Sequence, residues 1–319
     1  MPIPVLLDVD TGVDDAIALL LAVAHPHVEL VAVTCVAGNV DVQQAAANTL
    51  AVLELCDAAD TEVAVGAEAP LVEPLRVATS HGPLGLGYAE PPVPRGAVSA
   101  RYGPDVIVDE ARRRPGKLLL VATGPLTNVA LALRREPGLP RLLRRLAAMG
   151  GAFGHPGNTT PVAEFNIWVD PEAAADVFTA FSSAPRRPLV VGLDVTEQAG
   201  LRPEHVAALG TGPVADFVAR AVAVKFELDQ RVAHMHDPLA LALALDATLG
   251  STRPGTVAVE LSGALTRAMT VVDWHGLWGR EPNADVAVTI DAQRFLTELV
   301  DRISSLSRLD EGGNTVITA

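Results

Sequence analysis

An apolar run at residues 3–7 leads straight into Asp8-Val-Asp-Thr-Gly-Val-Asp-Asp-Ala-Ile-Ala18, which places four carboxylates within eight positions. Few folds accommodate that string. The apolar run reads as a buried strand, Gly12 permits a sharp turn, and Asp14 and Asp15 open a helix that continues through Ala16-Ile-Ala-Leu-Leu-Leu21. Asp8 and Asp10 stand two residues apart at the strand end, so an extended backbone aims both side chains the same way. Acids at a helix N-terminus are favoured by the helix dipole, which helps keep them ionised. Four converging carboxylates still repel one another, and the natural remedy is a hard cation with oxygen ligands, Ca²⁺ or Mg²⁺. Helix capping alone accounts for one acid, not for the whole strand–turn–helix string. The start of this chain reads as a metal-dependent enzyme site.

The rest of the sequence repeats the strand–helix pattern. Strands are expected at 4–8, 29–36, 118–122, 146–149, 188–193 and 257–261, and helices at 14–24, 42–56, 106–113, 126–135, 171–181, 203–209, 214–226, 238–245 and 294–304. Short apolar strands between amphipathic helices imply an α/β fold: an open, mostly parallel sheet with helices on both faces. Such sheets bind ligands beyond the carboxyl ends of their strands. The polar oddities of this chain fall there: Asp8 and Asp10, Gly38-Asn39, Thr123 to Asn128, and Gly150-Gly151 with the loop to Asn166. A single domain over residues 1–319 is expected, since no linker or internal repeat interrupts the pattern. The Gly/Pro-rich stretch 76–104 reads as a mobile flap, 227–236 as a second active-site loop, and 311–315 as a frayed tail.

Charge narrows the partners. A net charge of −14 without a basic stripe argues against nucleic acid, and a small neutral or cationic ligand suits it better. Arg112 to Arg114, at the end of the helix expected over 106–113, and Arg144-Arg145 read as solvated faces. No run reaches the roughly 18 apolar residues of a membrane span. No basic segment precedes the first strand, so a cytoplasmic location is expected. Cys35 and Cys56 read as buried thiols, not as a disulfide or a nucleophile.

These residues resemble the nucleoside hydrolase family (inosine-uridine preferring), in a Thr-for-Pro variant of its signature at Thr11. The resemblance runs on through Val36-Ala-Gly-Asn39, Ala122-Thr-Gly-Pro-Leu-Thr-Asn128, Met149-Gly-Gly151, Gly157-Asn158, Val162-Ala-Glu-Phe-Asn166, Asp170-Pro-Glu-Ala-Ala174, Gly192-Leu-Asp-Val-Thr196 and His236-Asp-Pro238. It implies a Rossmann-like sheet, hydrolysis of the N-glycosidic bond of ribonucleosides to ribose and free base, and a homodimer or homotetramer. It assigns Ca²⁺ to Asp10, Asp15, the carbonyl of Thr123 and Asp237. The metal would hold a water and orient the ribose diol, with Asp10 as general base and Asp8 supporting it from behind. Asp14, Asn39, Met149, Asn158, Glu164 and Asn166 would bind substrate. His236 would protonate or hydrogen-bond the leaving base, an imidazole being suited to that near neutral pH, and His81 would act from the flap. His234 has no assigned counterpart.

The departures concern the base pocket. The helix before His236 reads Phe226-Glu-Leu-Asp-Gln-Arg-Val-Ala-His-Met235 where relatives often carry Tyr, and Gly82 stands where purine-specialised members use Trp. Trp274, Trp278 and Phe226 are candidates to approach the base, and purine versus pyrimidine preference stays open. Two other functions compete. Leu6-Leu-Asp-Val-Asp10 resembles the opening of haloacid dehalogenase-type phosphatases, but Gly12 and the placement of Lys117 and Lys225 on regular elements fit that class poorly. A non-catalytic ribose-binding protein would have little reason to keep Asp10 and His236 together.

Overall fold

The computed structural model describes residues 2–228 and 231–307. Strand β1 (Ile3–Val9) is buried on both faces, Val5, Leu7 and Val9 entering one core and Leu6 the other, as the two-residue period of a strand requires. Helix α1 (Val13–Ala24) starts after Gly12 with Asp14 and Asp15 in its first turn. Then come β2 (Val28–Cys35), α2 (Val42–Leu55) and β3 (Val63–Val65). Asp41 begins α2 by accepting the N–H groups of Gln43 and Gln44, which satisfies donors that a helix start leaves unpaired.

The middle of the chain contributes α3 (Gly103–Arg113), β4 (Leu119–Ala122), α4 (Thr127–Arg135), α5 (Leu139–Leu142) and β5 (Arg145–Met149). It continues with α6 (Phe165–Val169), α7 (Pro171–Ala180), β6 (Leu189–Val191), α8 (Leu193–Thr196), β7 (Gly200–Leu201) and α9 (Pro203–Ala208). The last elements are α10 (Pro213–Leu228), β8 (Ala233–His234), α11 (His236–Leu245), β9 (Gly250–Val259), β10 (Thr270–Asp273), β11 (Ala284–Ile290) and α12 (Ala292–Ser307).

Nine strands form one sheet in the order β10-β9-β11-β6-β5-β4-β1-β2-β3. From β3 across to β11 every neighbouring pair is parallel, and β9 and β10 add an antiparallel edge. Helices α1, α2, α10, α11 and α12 cover one face, and α3, α4 and α7 the other. Sequence order reverses at the β1–β4 junction, the crevice where open α/β sheets bind ligands.

Several expectations need correction. The strand at 188–193 ends at Val191, because Leu193 already belongs to α8. The strand at 257–261 is only the end of β9, which begins at Gly250 with mostly exposed residues; pairing with β11, rather than hydrophobicity, holds it extended. Strands β3, β7, β8, β10 and β11 and helices α5, α6 and α8 were not foreseen. In the stretch read as a flap, 76–104, Gly103 and Pro104 form the first turn of α3, where proline is favoured. The expected loop 227–236 also shrinks. Glu227 and Leu228 end α10, Ala233–His234 pair with Gly200–Leu201, and His236 starts α11. Residues 229–230 and the tail 311–315 lie outside the described residues.

Candidate active site

The carboxyl ends of β1, β2, β4 and β5 converge on one cavity of about 280 Å³. Asp8 comes first. Its Oδ1 accepts from Thr34 Oγ1 at 2.6 Å and Asn128 Nδ2 at 2.7 Å, while Oδ2 is buried without a partner. Burial pushes its pKa up to about 7, against the pull of those two hydrogen bonds. Asp8 thus stands behind the cavity wall. Asp10 Oδ2 accepts the Asn39 N–H at 2.7 Å, and Asp10 Oδ1 is buried with no hydrogen-bond partner among the described residues. Gly38 lets this loop approach so closely, because a Cβ there would press on Asp10 Oδ2.

Asp15 turns back from α1. Its Oδ2 accepts from Gly12 N–H at 2.9 Å and Asn39 Nδ2 at 3.2 Å, and its Oδ1 from Thr123 Oγ1 at 2.8 Å. Asp14, Asp15 and Asp237 are buried and each offers an oxygen within 4.8 Å of the others. Asp10 stands beside this trio, with the Asp15 charge second only to burial in raising its pKa well above the carboxylate range. Asp237 is raised in the same way by burial and then by Asp14. Buried like charges of this kind call for a cation. The donor set is all oxygen, and the orphaned oxygen of Asp10 adds to it. The arrangement fits a hard divalent ion.

A second layer of polar groups lines the cavity. The Thr123 carbonyl accepts from Asn166 Nδ2 at 2.6 Å, and the Met149 carbonyl accepts from the same amide nitrogen at 3.2 Å. Glu164 caps α6, accepting from Asn166 N–H at 2.8 Å and Ile167 N–H at 3.1 Å, and reaches Gly151 N–H at 3.0 Å. Asn158 is exposed at the rim, its Oδ1 taking the Phe165 N–H at 3.0 Å, so its NH₂ group is left for a ligand. All of Asp14, Asn39, His81, Thr123, Met149, Asn158, Glu164, Asn166, His236 and Asp237 line the cavity.

His81 reaches in from the stretch between β3 and α3. Its Nδ1 accepts the Val13 N–H at 3.0 Å, and its Nε2 meets Lys225 Nζ at 2.9 Å. His236 Nδ1 lies 2.7 Å from Thr196 Oγ1, and its ring stacks obliquely on His234 at 5.9 Å. Burial, reinforced by His234 and Lys225, pushes its pKa down to about 3.

Trp274 and Trp278 do not line the cavity: Arg253 packs on the first ring and Arg280 on the second. Phe226 packs against the core instead. Phe165 is the one Phe, Tyr or Trp among the described lining residues. Lys225, Ser80, Thr159 and Glu197 line it without having been foreseen. For Lys225 a signal existed, a single cation in the apolar run Val222-Ala-Val-Lys-Phe226 of a chain whose other lysine is Lys117.

A family model described as inosine-uridine preferring nucleoside hydrolase matches residues 5–297. The chain belongs to that family. It is 41% identical over 317 residues to the pyrimidine-specific ribonucleoside hydrolase RihA of Enterobacter sp. (strain 638), covering 96% of this chain and 99% of that protein. The protein of the same name from Citrobacter koseri is 41% identical over 313 residues, covering 95% and 99%. Among solved structures, the plant nucleoside hydrolase PpNRh1 superposes with a TM-score of 0.89 at 31% identity, covering 96% of this chain and all of that one. A purine-preferring ribonucleoside hydrolase from Gardnerella vaginalis also gives 0.89, at 32% identity over 96% and 99% of the two chains. This nucleoside hydrolase is therefore an enzyme, and the phosphatase and non-catalytic readings fall away. No helix among its described residues is long and apolar enough to cross a membrane.

Proposed function

We propose that this nucleoside hydrolase opens the N-glycosidic bond of ribonucleosides with Asp10 as general base, at a Ca²⁺ site held by Asp10, Asp15, the Thr123 carbonyl and Asp237. The observation that carries the reading is the pair of oxygens on Asp10: Asn39 holds Oδ2, and Oδ1 is buried and unpartnered beside the carboxylate trio. A base needs such an oxygen, oriented by its twin and ready to take a proton. Ca²⁺ prefers six to eight oxygen ligands, and when bound it would lower the pKa of a water and orient two ribose hydroxyls.

The chain's own groups do the remaining work. Asp14, the fourth acid of the string, faces the ribose with Asn39, Asn166, Asn158 and Glu164, a mixture of donors and acceptors matched to hydroxyls. Positive charge developing on the ribosyl ring during cleavage is stabilised by these buried carboxylates. Because Thr196 occupies His236 Nδ1, Nε2 is the ring nitrogen left to meet the leaving base. The relatives named as pyrimidine-specific support a pyrimidine preference. Residues 76–102 would act as a flap over the cavity. We infer a homodimer or homotetramer, checked by light scattering, and a cytoplasmic setting.

The test is a panel of ribonucleosides assayed for reducing-sugar release with and without EDTA. Release that chelation abolishes and Ca²⁺ restores is expected; full activity in metal-free protein would sink the metal assignment. A 2′-deoxynucleoside loses a charge-assisted hydrogen bond that contributes about 1.5–3 kcal/mol. Deoxyuridine should therefore react at least tenfold more slowly than uridine, and equal kcat/KM values would contradict the ribose site.

A further inference from the structure

The cavity has two chemical ends. Asp14 and Asp237 line one of them, interacting with the fully buried Asp10 and Asp15 beside them. Lys225, His81 and His236 form a second group close enough to influence one another, with His234 against His236. A nucleoside undergoing hydrolysis has the same polarity, since its sugar becomes positive and its base negative. The sugar belongs on the acids and the base on the nitrogens.

Lys225 is the member of the nitrogen group with N–H bonds to spare. A backbone amide can only donate, so the Val13 N–H fixes His81 Nδ1 as an acceptor and places the ring's proton on Nε2. That N–H points at Lys225 Nζ, 2.9 Å away, so the amine accepts it. Burial shifts Lys225 below the usual lysine range, against the opposite pull of Asp14, Asp237 and Asp15. The other polar contact of Lys225 among the described residues is Ser80 Oγ, at 3.4 Å. At least one N–H of the amine is thus left for a ligand.

We propose that Lys225 donates a hydrogen bond to the carbonyl oxygen next to the scissile nitrogen of the base, O2 of a pyrimidine, and thereby favours 2-keto pyrimidine ribonucleosides. The inference rests on the ribosidase reading above. In the step concerned, the water oxygen bonds to C1′, a water proton passes to Asp10, and the C1′–N1 electron pair goes to the base. Negative charge spreads from N1 onto O2, where Lys225 meets it; the lysine keeps its protons, and the base takes one afterwards from solvent. A purine has no carbonyl beside its scissile N9, so the same donor does less for it.

The experiment compares kcat for wild type, Lys225→Met and Lys225→Gln on uridine, cytidine, inosine, p-nitrophenyl riboside and 4-pyridone riboside, which lacks the 2-keto oxygen. Removing one such donor typically costs on the order of 10²–10³ in kcat. Lys225→Met should lose about that on uridine and cytidine, and at least about tenfold less on inosine, p-nitrophenyl riboside and 4-pyridone riboside. The Gln variant, which keeps a donor, should recover part of the loss. Equal losses on every substrate would overturn the proposal, because Lys225 would then only hold His81. Unchanged uridine turnover would overturn it too. Should neither variant fold, wild type alone decides: 4-pyridone riboside opened as fast as uridine, relative to their uncatalysed rates, refutes a role for O2. A wild type that opens neither nucleosides nor p-nitrophenyl riboside would instead refute the ribosidase reading itself.

Discussion

Asn128 commits both ends of its side-chain amide to the frame of the site. Nδ2 donates to Asp8 Oδ1 and to the Cys35 carbonyl at 3.0 Å, while Oδ1 accepts the Ala67 N–H at 2.8 Å. The residue is fully buried, so truncation strands the Ala67 N–H and removes one of the two donors held by Asp8 Oδ1 and by the Cys35 carbonyl. A stranded buried group costs about 1–3 kcal/mol, and each weakened acceptor adds to that. Asn128→Ala should lower unfolding free energy by roughly 2–4 kcal/mol, read from the urea midpoint, and a change under about 0.5 kcal/mol would show that water replaces the amide. Asp10 offers the complementary experiment, in chemistry rather than stability. Asp10→Asn keeps the shape but cannot take a proton, so kcat should fall by at least about 10²-fold while calorimetry still detects nucleoside binding. Near-normal turnover would remove Asp10 as the base.

The segment that carries His81 has no helix and a single isolated bridge to the sheet, Ala64 to Ser99. Asn48 and Glu54 of α2 hold it through Leu84, Arg95 and Gly96, and α10 holds it at Tyr88. Tyr88 donates from its hydroxyl to Glu227 at 2.6 Å and from its amide to the Arg220 carbonyl at 3.2 Å. Gly87 has φ of +60° and sits where a Cβ would press on the Ala221 carbonyl of that helix. Gly87→Ala meets both penalties, a left-handed backbone and a collision. The segment lies outside the sheet, so the damage should fall on the site rather than on the fold. We expect KM for nucleosides to rise by at least about tenfold, since 1.4 kcal/mol suffices for that, with a change in Tm of only a few degrees. Unfolding of the variant at ambient temperature would show instead that this segment is structural.

Across the whole molecule, the acids of the site make stability depend on pH and metal together. In metal-free protein Asp8 has its pKa raised from 3.8 to about 7, and Asp10, Asp15 and Asp237 are raised as well, all chiefly by burial. Between those limits the folded state binds more protons than the unfolded chain. The slope of unfolding free energy against pH is then negative, so stability falls as pH rises from about 4 towards 7. A divalent cation takes the place of the protons on Asp10, Asp15 and Asp237 and binds their ionised form, which opposes that slope. Melting curves in EDTA should therefore show a higher Tm at pH 5.5 than at pH 7.5, with Ca²⁺ narrowing the difference. A Tm that rises with pH in EDTA would show that these groups are already ionised without metal.

What the sequence determined by itself was local and periodic. The strand–turn–helix string around Asp8 to Asp15, the alternation that makes a parallel sheet and the motifs ending in Asn39, Thr123, Glu164 and Asp237 could all be read along the chain, because each depends on neighbours a few residues away. The family followed from the same motifs. Tertiary structure alone decided what depends on distant partners. Strand β9 is extended because β11 lies beside it, β8 exists because Gly200–Leu201 pairs with it, and Trp274 and Trp278 lie outside the cavity, each under an arginine. Lys225 stands out in the sequence only as a lone cation in an apolar helical run. It becomes part of the site only because the fold sets α10 against the segment of Ser80 and His81, 144 positions from His81; no local pattern encodes a contact of that separation.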